Sequence, residues 1–290
     1  MVAAASTAEK LVGELGRIVL GRISAGRLVL PVMPAVAQSC LAILQDPNFQ
    51  QKKFTATLER EPLLSASVLR SAMSAANANA NVKTLDQAVS ALGMQKLKSQ
   101  LVEFMTRELF KSTDSRIQSA TKKVWEHSVA VATLAREIAA MTSGANSDTC
   151  YLAGLLHDVG KPILAAMLLD AERKLGKAKS GWLDIAVWTS TIESGHRKVG
   201  VALATEWKLP DEVTSGISDC SEYDSENRIS AANIVRFANA LAKREGFTTT
   251  TVDPADIDAL IMIGRSMLGI DDDVIAKVVA GLAERVAQAA

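Results

Sequence analysis

The stretch Gly154-Leu155-Leu156-His157-Asp158-Val159-Gly160-Lys161 ends an apolar run with an adjacent imidazole and carboxylate, in a chain that has only three histidines. Such a pair is costly to hold near a hydrophobic core unless a metal ion or a dense hydrogen-bond network satisfies it. Any fold for this chain must therefore bring partners to His157 and Asp158 from distant segments. Asp148 to Leu156 reads as the helix that delivers the pair, and Gly160-Lys161-Pro162 is expected to break or kink it at once. The two residues then sit near a helix end, where the backbone can present them to a cleft.

The core that surrounds them has to be aliphatic. Aromatic residues make up 4% of the 290, against 48% hydrophobic residues in all, a composition that favours closely packed helices over a sheet sandwich. Lys plus Arg and Asp plus Glu each number 32, so nothing in the overall charge draws the chain to nucleic acid or to an anionic membrane. Cys40, Cys150 and Cys220 are too scattered for a disulfide framework or a CxxC site and read as small buried groups in a reducing, cytoplasmic setting. Glu9, Lys10, Glu14 and Arg17 interrupt the N-terminal segment, which does not read as a secretory signal, and no run is expected to cross a bilayer.

Periodicity and punctuation predict helices throughout. An amphipathic helix or tail over residues 8–20 is followed by helices at Ala35–Leu44, Phe54–Leu58 and Pro62–Met73, with Pro62 tolerated in a first turn. Thr84-Leu85-Asp86-Gln87 is a capping-box candidate, Gly93 interrupts the helix it starts, and Met94–Phe110 continues. Val124, Ser128, Val131, Leu134, Ala135 and Ile138 mark one face of a helix from Ile117 to Met141. Beyond a polar interval over 170–181, helices are expected at Trp182–Glu193, Val199–Trp207, Ile229–Ala242 and Asp256–Met267, with a final helix reaching about Val286. No strand and no internal repeat is evident. Arg136 and Glu137, Arg173 and Lys174, and Lys243 and Arg244 read as solvated helix faces.

Of the histidines, His127 stands within an expected helix, His157 at the end of one and His196 just before the expected helix at Val199. Taken singly, a histidine at the edge of an apolar face is more often a hydrogen-bonded core residue than a ligand. Three helices of a bundle can nevertheless point separated imidazoles into one cleft.

These motifs, in this order, resemble the HD superfamily and within it the HDOD family of bacterial signalling output domains. Over residues 28–243, Leu30-Pro31-Val32-Met33-Pro34 is similar to that family's proline-punctuated opening and Glu61-Pro62-Leu63-Leu64 to its Asp-Pro-x-Leu helix. Thr84 to Gly93 resembles the helix before its hinge-like glycine, Ala153 to Lys161 the shared His-Asp core, and Trp207-Lys208-Leu209-Pro210 the turn that follows. The resemblance implies an all-α fold, an HD-type helical bundle preceded by an N-terminal helical lobe. The expected divisions are an N-terminal helix or tail at 1–27, the lobe at 28–112, the HD-like subdomain at 113–243 and a C-terminal helical extension at 244–290.

Catalytic HD enzymes bind divalent metal through a first His, the His-Asp pair and a later Asp, and hydrolyse phosphate esters. By resemblance His127, His157 and Asp158 match the first three, whereas the fourth position falls on Asn239. An amide offers a neutral oxygen where a carboxylate would give charge to a hard cation. His196 matches a further family histidine and would complete a ligand set suited to iron, zinc, manganese or nickel, and the alternative is that no cofactor is held. Asp219 and Cys220 stand where relatives often carry histidines and read as structural. In an active site of this kind Asp158 would ligate or orient the attacking water and Lys161 would attract substrate phosphate, although Lys161 reads slightly better as a solvent-facing lysine at a helix end.

The expected function is therefore a noncatalytic bacterial regulatory module with a degenerate HD site, acting on a signalling protein partner. The alternatives are a metal-dependent phosphohydrolase acting on a nucleotide or cyclic dinucleotide, and a sensor of a nucleotide or small anion without turnover. Neither nucleic acid nor membrane is expected as a partner, and the sequence leaves self-association as a homo-oligomer open.

Overall fold

The structure, a computed structural model, describes residues 18, 21–22, 25, 30–31, 33–73, 82–174 and 185–289. The predicted helix over 8–20 (apart from Ile18) and the expected helix start at Trp182 lie outside them. All regular structure among the described residues is helical, as the composition requires. The chain divides into two compact units, Val32–Glu108 and one that contains Leu109–Ala290.

In the first unit the helices are α1 (Ala35–Gln45), α2 (Gln51–Leu58), α3 (Pro62–Met73) and α4 (Leu85–Leu109). Pro62 opens α3, where its missing N–H has no partner to lose. The capping box forms as its residues dictate: the Gln87 N–H donates to Thr84 Oγ1 at 3.2 Å, and the Thr84 N–H donates to Gln87 Oε1 at 3.1 Å. Gly93, at φ 73°, interrupts α4, a left-handed conformation that glycine adopts without a Cβ penalty. Phe54, Leu58, Leu64, Leu97 and Leu101 form the buried centre, while Met73 and Met94 are exposed.

The second unit is built around α5 (Ser115–Met141), whose predicted stripe from Val124 to Ile138 is buried throughout. Against α5 pack α6 (Ser147–Leu156) and α10 (Ala231–Arg244); α7 (Gly160–Lys174) packs on α8 (Ile185–Glu206), and α9 (Asp211–Ser218) on α6 and α8. Asn146 and Ser230 cap α6 and α10 by accepting from the Thr149 and Asn233 N–H groups. The side chain of Asn233 is pinned in turn by the backbone of Asp224, Asn227 and Arg228, which fixes the start of α10. The chain ends in α11 (Pro254–Leu268), α12 (Asp272–Val279) and α13 (Leu282–Ala289).

Four expectations are corrected. Pro162 does not break the preceding helix: α6 ends at Leu156, His157 to Val159 form the turn, and Pro162 lies in the first turn of α7, where a donor is dispensable. The helices expected at Trp182–Glu193 and Val199–Trp207 are not separate, because α8 is continuous from Ile185 to Glu206 and one buried face carries through it. The final helix is two, parted at Ala280-Gly281, where Gly281 has φ 66° and Arg285 donates to the Val278 and Ala280 carbonyls that α12 leaves free. The span Ser147–Asp170 is long and apolar enough to cross a membrane by length and composition, contrary to the sequence reading, but it comprises α6, the turn and part of α7 and is mostly buried inside the unit.

Two glycines flank the His157-Asp158 turn and set the spacing of the helices beside it. A Cβ on Gly154 would lie 2.9 Å from the Cα of Ala132 on α5, and one on Gly160 would run into the backbone carbonyl of His196 on α8. Neither obstacle is the movable end of a side chain, so α5–α6 and α7–α8 must part if a methyl group is added. Gly154→Ala and Gly160→Ala are each expected to cost about 1–3 kcal/mol of stability. Urea unfolding checks this, and an unchanged midpoint would contradict the close approach.

Candidate metal centre

Four elements converge beside these contacts. His127 comes from α5, His157 and Asp158 from the α6–α7 turn, Lys161 from α7 and His196 from α8. All three imidazoles are held the same way. The Nδ1 of His127 lies 2.8 Å from the Phe247 carbonyl, that of His157 lies 2.6 Å from the Gly154 carbonyl, and that of His196 lies 2.9 Å from the Glu193 carbonyl. A carbonyl only accepts, so each Nδ1 carries the proton and each neutral ring turns an Nε2 lone pair inward.

Those of His127 and His157 face each other and a carboxylate, and that of His196 faces the other oxygen of the same carboxylate. His127 Nε2 and His157 Nε2 are 3.3 Å apart, and they lie 3.8 Å and 3.6 Å from Asp158 Oδ2. His196 Nε2 is 3.4 Å from Asp158 Oδ1. Neutral rings offer no proton between them, so acceptor meets acceptor, an arrangement that a cation relieves. The ligand atoms of His127, His157 and Asp158 lie within 4.8 Å of one another. Bonds of about 2.0–2.2 Å to a tetrahedral ion require ligand atoms roughly 3.3–3.6 Å apart, so these separations fit a first-row metal. Backbone carbonyls on the far nitrogens are the usual outer support of histidine ligands.

Burial decides the protonation states. Exposure is 2% for His127, 1% for His157, 4% for Asp158 and 5% for His196. Burial pushes the His157 pKa down to about 3 against the opposing pull of Asp158, and it lowers those of His127 and His196 as well. Burial alone would raise the Asp158 pKa, but the positive charge its neighbours can carry outweighs it and holds the carboxyl well below the usual range. With the rings neutral, the permanent cation on that carboxylate is Lys161. Its Nζ is 2.9 Å from Asp158 Oδ2 and 3.1 Å from Glu193 Oε1, and these two carboxylates raise its pKa in spite of burial.

The structure thus brings together His127, His157, Asp158 and His196, and it corrects the reading of Lys161 as a solvent-facing residue. Asn239 lies half-buried on α10, and its Oδ1 is buried without a hydrogen-bond partner. Asp219 is exposed and bonded to Ser218, whereas Cys220 is buried and accepts from Arg197, so neither joins the cluster. Two residues escaped the sequence reading. Glu193 lies one turn before His196 on α8, a spacing that puts both on one face. Lys243, taken for part of a solvated face, is half-buried and within electrostatic range of Asp158, Lys161 and Glu193; its position four residues after Asn239 was the available signal.

A helical bundle that gathers His127, an adjacent His157-Asp158 pair and His196 has the architecture of an HD-type domain. The chain belongs to the HDOD family: the HDOD domain profile matches residues 30–223. It is similar in fold to a protein of Shewanella amazonensis SB2B provisionally described as a metal-dependent phosphohydrolase, with 19% identity, a TM-score of 0.79 and coverage of 96% of this chain and 99% of that one. An HDOD domain protein of unknown function from Geobacter sulfurreducens shares 22% identity at a TM-score of 0.64, over 95% and 97% of the two chains. Ribonuclease Y of Symbiobacterium thermophilum is 29% identical over 189 residues, 64% of this chain and 30% of that protein. The chain spans about a third of the length of the curated relatives it matches.

The buried neutral His157 has a consequence for acid stability. Its pKa is lower in the folded chain than in the unfolded one, so the unfolded chain binds more protons between about pH 6.5 and 3, and stability falls as pH drops through that window. Asp158, also depressed, adds a loss that sets in only below its ordinary value of 3.8. The denaturation midpoint is expected to fall from pH 7.5 to pH 5, and to fall less in His157→Gln. Equal slopes in the two proteins would contradict a buried neutral imidazole.

Proposed function

We propose that this chain is a noncatalytic regulatory module of the cytoplasm that acts through contact with a signalling protein, and that its buried cluster holds one divalent metal ion as a structural or sensing centre. The observation that carries the reading is the ion pair of Lys161 with Asp158 at 2.9 Å, which already occupies the carboxylate oxygen that a hydrolytic water would need. Hydrolysis also requires an open coordination position and room for a phosphorus atom beside the metal-bound water, and the four cluster residues are almost wholly buried. Asn239 adds to this, because a neutral amide at the position of a second carboxylate gives little hold on a hard second cation. Free Cys40, Cys150 and Cys220 accord with a reducing compartment.

Nε2 of His127, of His157 and of His196 and the carboxylate of Asp158 are the groups that would hold the ion, and its charge would relieve their mutual repulsion. The same convergence of lone pairs favours a second reading, a metal-dependent phosphohydrolase, in which Lys161 leaves Asp158 for a substrate phosphate.

Protein purified without chelator or affinity-tag metal is expected to carry about one transition-metal ion per chain, lost in His127→Ala and His157→Ala; elemental analysis measures this. Metal-free, well-folded wild type would remove the metal from the proposal. Supplied with manganese, iron, zinc or nickel in turn, the protein is expected to leave bis-p-nitrophenyl phosphate, cyclic dinucleotides and short single-stranded RNA intact. Metal-dependent turnover abolished by His157→Ala would replace the first reading with the second.

A further inference from the structure

The three imidazoles differ in where their orienting carbonyls come from. His157 and His196 each find theirs three residues back on their own segment, at Gly154 and Glu193, so ring and partner travel together. The partner of His127 is the Phe247 carbonyl, 120 positions further along the chain and 2.8 Å away. Phe247 stands beyond the residues 30–223 that the HDOD profile covers, in the connection between α10 and α11. The tautomer of His127 is thus the one of the three that depends on a distant segment being in place.

The aim of that carbonyl is fixed by a tight turn. α10 ends in a Schellman motif: the Gly246 N–H donates to the Lys243 carbonyl at 3.1 Å and the Phe247 N–H to the Ala242 carbonyl at 2.9 Å, with Gly246 left-handed at φ 88°. The Thr248 N–H then returns to the Gly246 carbonyl at 3.0 Å and closes a three-residue turn around Phe247. Both N–H groups beside Phe247 are committed to this turn, and its carbonyl is aimed at the Nδ1 proton of His127. Gly246 is exposed, whereas the ring it helps to orient is 2% exposed. A Cβ on Gly246 would meet nothing within 4 Å, so a substitution there acts through backbone conformation and not through crowding.

We propose that the Gly246-Phe247 turn is a positioning element of the metal centre: it holds His127 with Nδ1 protonated and the Nε2 lone pair inward, so that the C-terminal extension sets metal affinity from an exposed turn. The effect on affinity rests on the metal-binding reading proposed above, whereas the tautomer of His127 does not, and the two therefore fail separately.

The full-length chain, its histidine rings labelled with nitrogen-15 and its metal removed by chelator, is compared with Gly246→Val, Gly246→Ala, Gly246→Asn and Arg285→Ala. Nitrogen NMR at pH 7.5 reads the tautomer of each ring, with His127→Gln assigning one set of signals. Competition with a chromophoric chelator reads zinc affinity. Wild type is expected to carry the proton of His127 on Nδ1. Gly246→Val is expected to lose that preference at His127 alone and to bind zinc about ten- to a hundredfold more weakly. Gly246→Ala, restricted in the same way by a smaller side chain, serves where the valine variant does not fold. Asparagine tolerates a left-handed backbone, so Gly246→Asn keeps both properties. Arg285→Ala removes the contact of the extension with Glu137, 3.4 Å in wild type, and is expected to lower the melting temperature without changing zinc affinity, which separates positioning from general loosening. A proton on Nε2 of His127 in wild type, an unchanged tautomer in both Gly246→Val and Gly246→Ala, or an equal loss of zinc in Arg285→Ala and Gly246→Val would each overturn the inference. A wild type that binds no zinc would end the metal reading and the effect on affinity with it, and the tautomer would then decide alone whether the turn positions His127.

Discussion

The ion pair between Lys161 and Asp158 is the interaction on which the arrangement of the second unit depends. A carboxylate as buried as Asp158 needs positive charge within contact distance, and the neutral rings around it supply none. Lys161 is available because it lies one helical turn after Asp158, across the junction where α6 gives way to α7. The break in the helix is thus part of the electrostatics: it places the carboxylate outside a regular helix and its counter-ion in the first turn of the next.

Each imidazole is oriented from behind rather than from within the site. Carbonyls of Phe247, Gly154 and Glu193 take the Nδ1 protons, so the backbone of three separate segments fixes the tautomers before any ion arrives. Gly154 contributes twice, through the carbonyl that orients His157 and through the missing side chain that lets α5 approach with His127. This economy explains why a short apolar run with two glycines can organise residues that are 30 and 39 positions apart in sequence.

Much of this was legible in the sequence. The scarcity of aromatics, the stripe from Val124 to Ile138 and the Thr84–Gln87 capping box specify helices through local chemistry, and local chemistry is what a sequence displays. The His-Asp motif and the resemblance it carries pointed to His127, His157, Asp158 and His196 as candidates. What the sequence concealed depended on tertiary partners. Lys161 and Lys243 look like ordinary surface lysines until Glu193 and Asp158 are brought beside them. Gly195 falls in the gap left between two expected helices, yet the packed, buried face of α8 outweighs the modest helical cost of one glycine and the helix runs through. Pro162 was misread for a related reason, because whether a proline ends or begins a helix depends on where the preceding turn closes.

The unbroken course of α8 gives the unit a rod with the cluster near its middle. Glu193 and His196 lie on one stretch of it, and Trp207 follows its other end, 11 residues after His196 and about 16 Å along the axis. An uninterrupted hydrogen-bonded helix transmits displacement rather than absorbing it. The same helix leads into the turn at Trp207-Lys208, where the backbone takes the rare left-handed conformation, φ 52°, at a residue other than glycine. The buried centre and the exposed turn at Lys208 are thus joined by one unbroken helix.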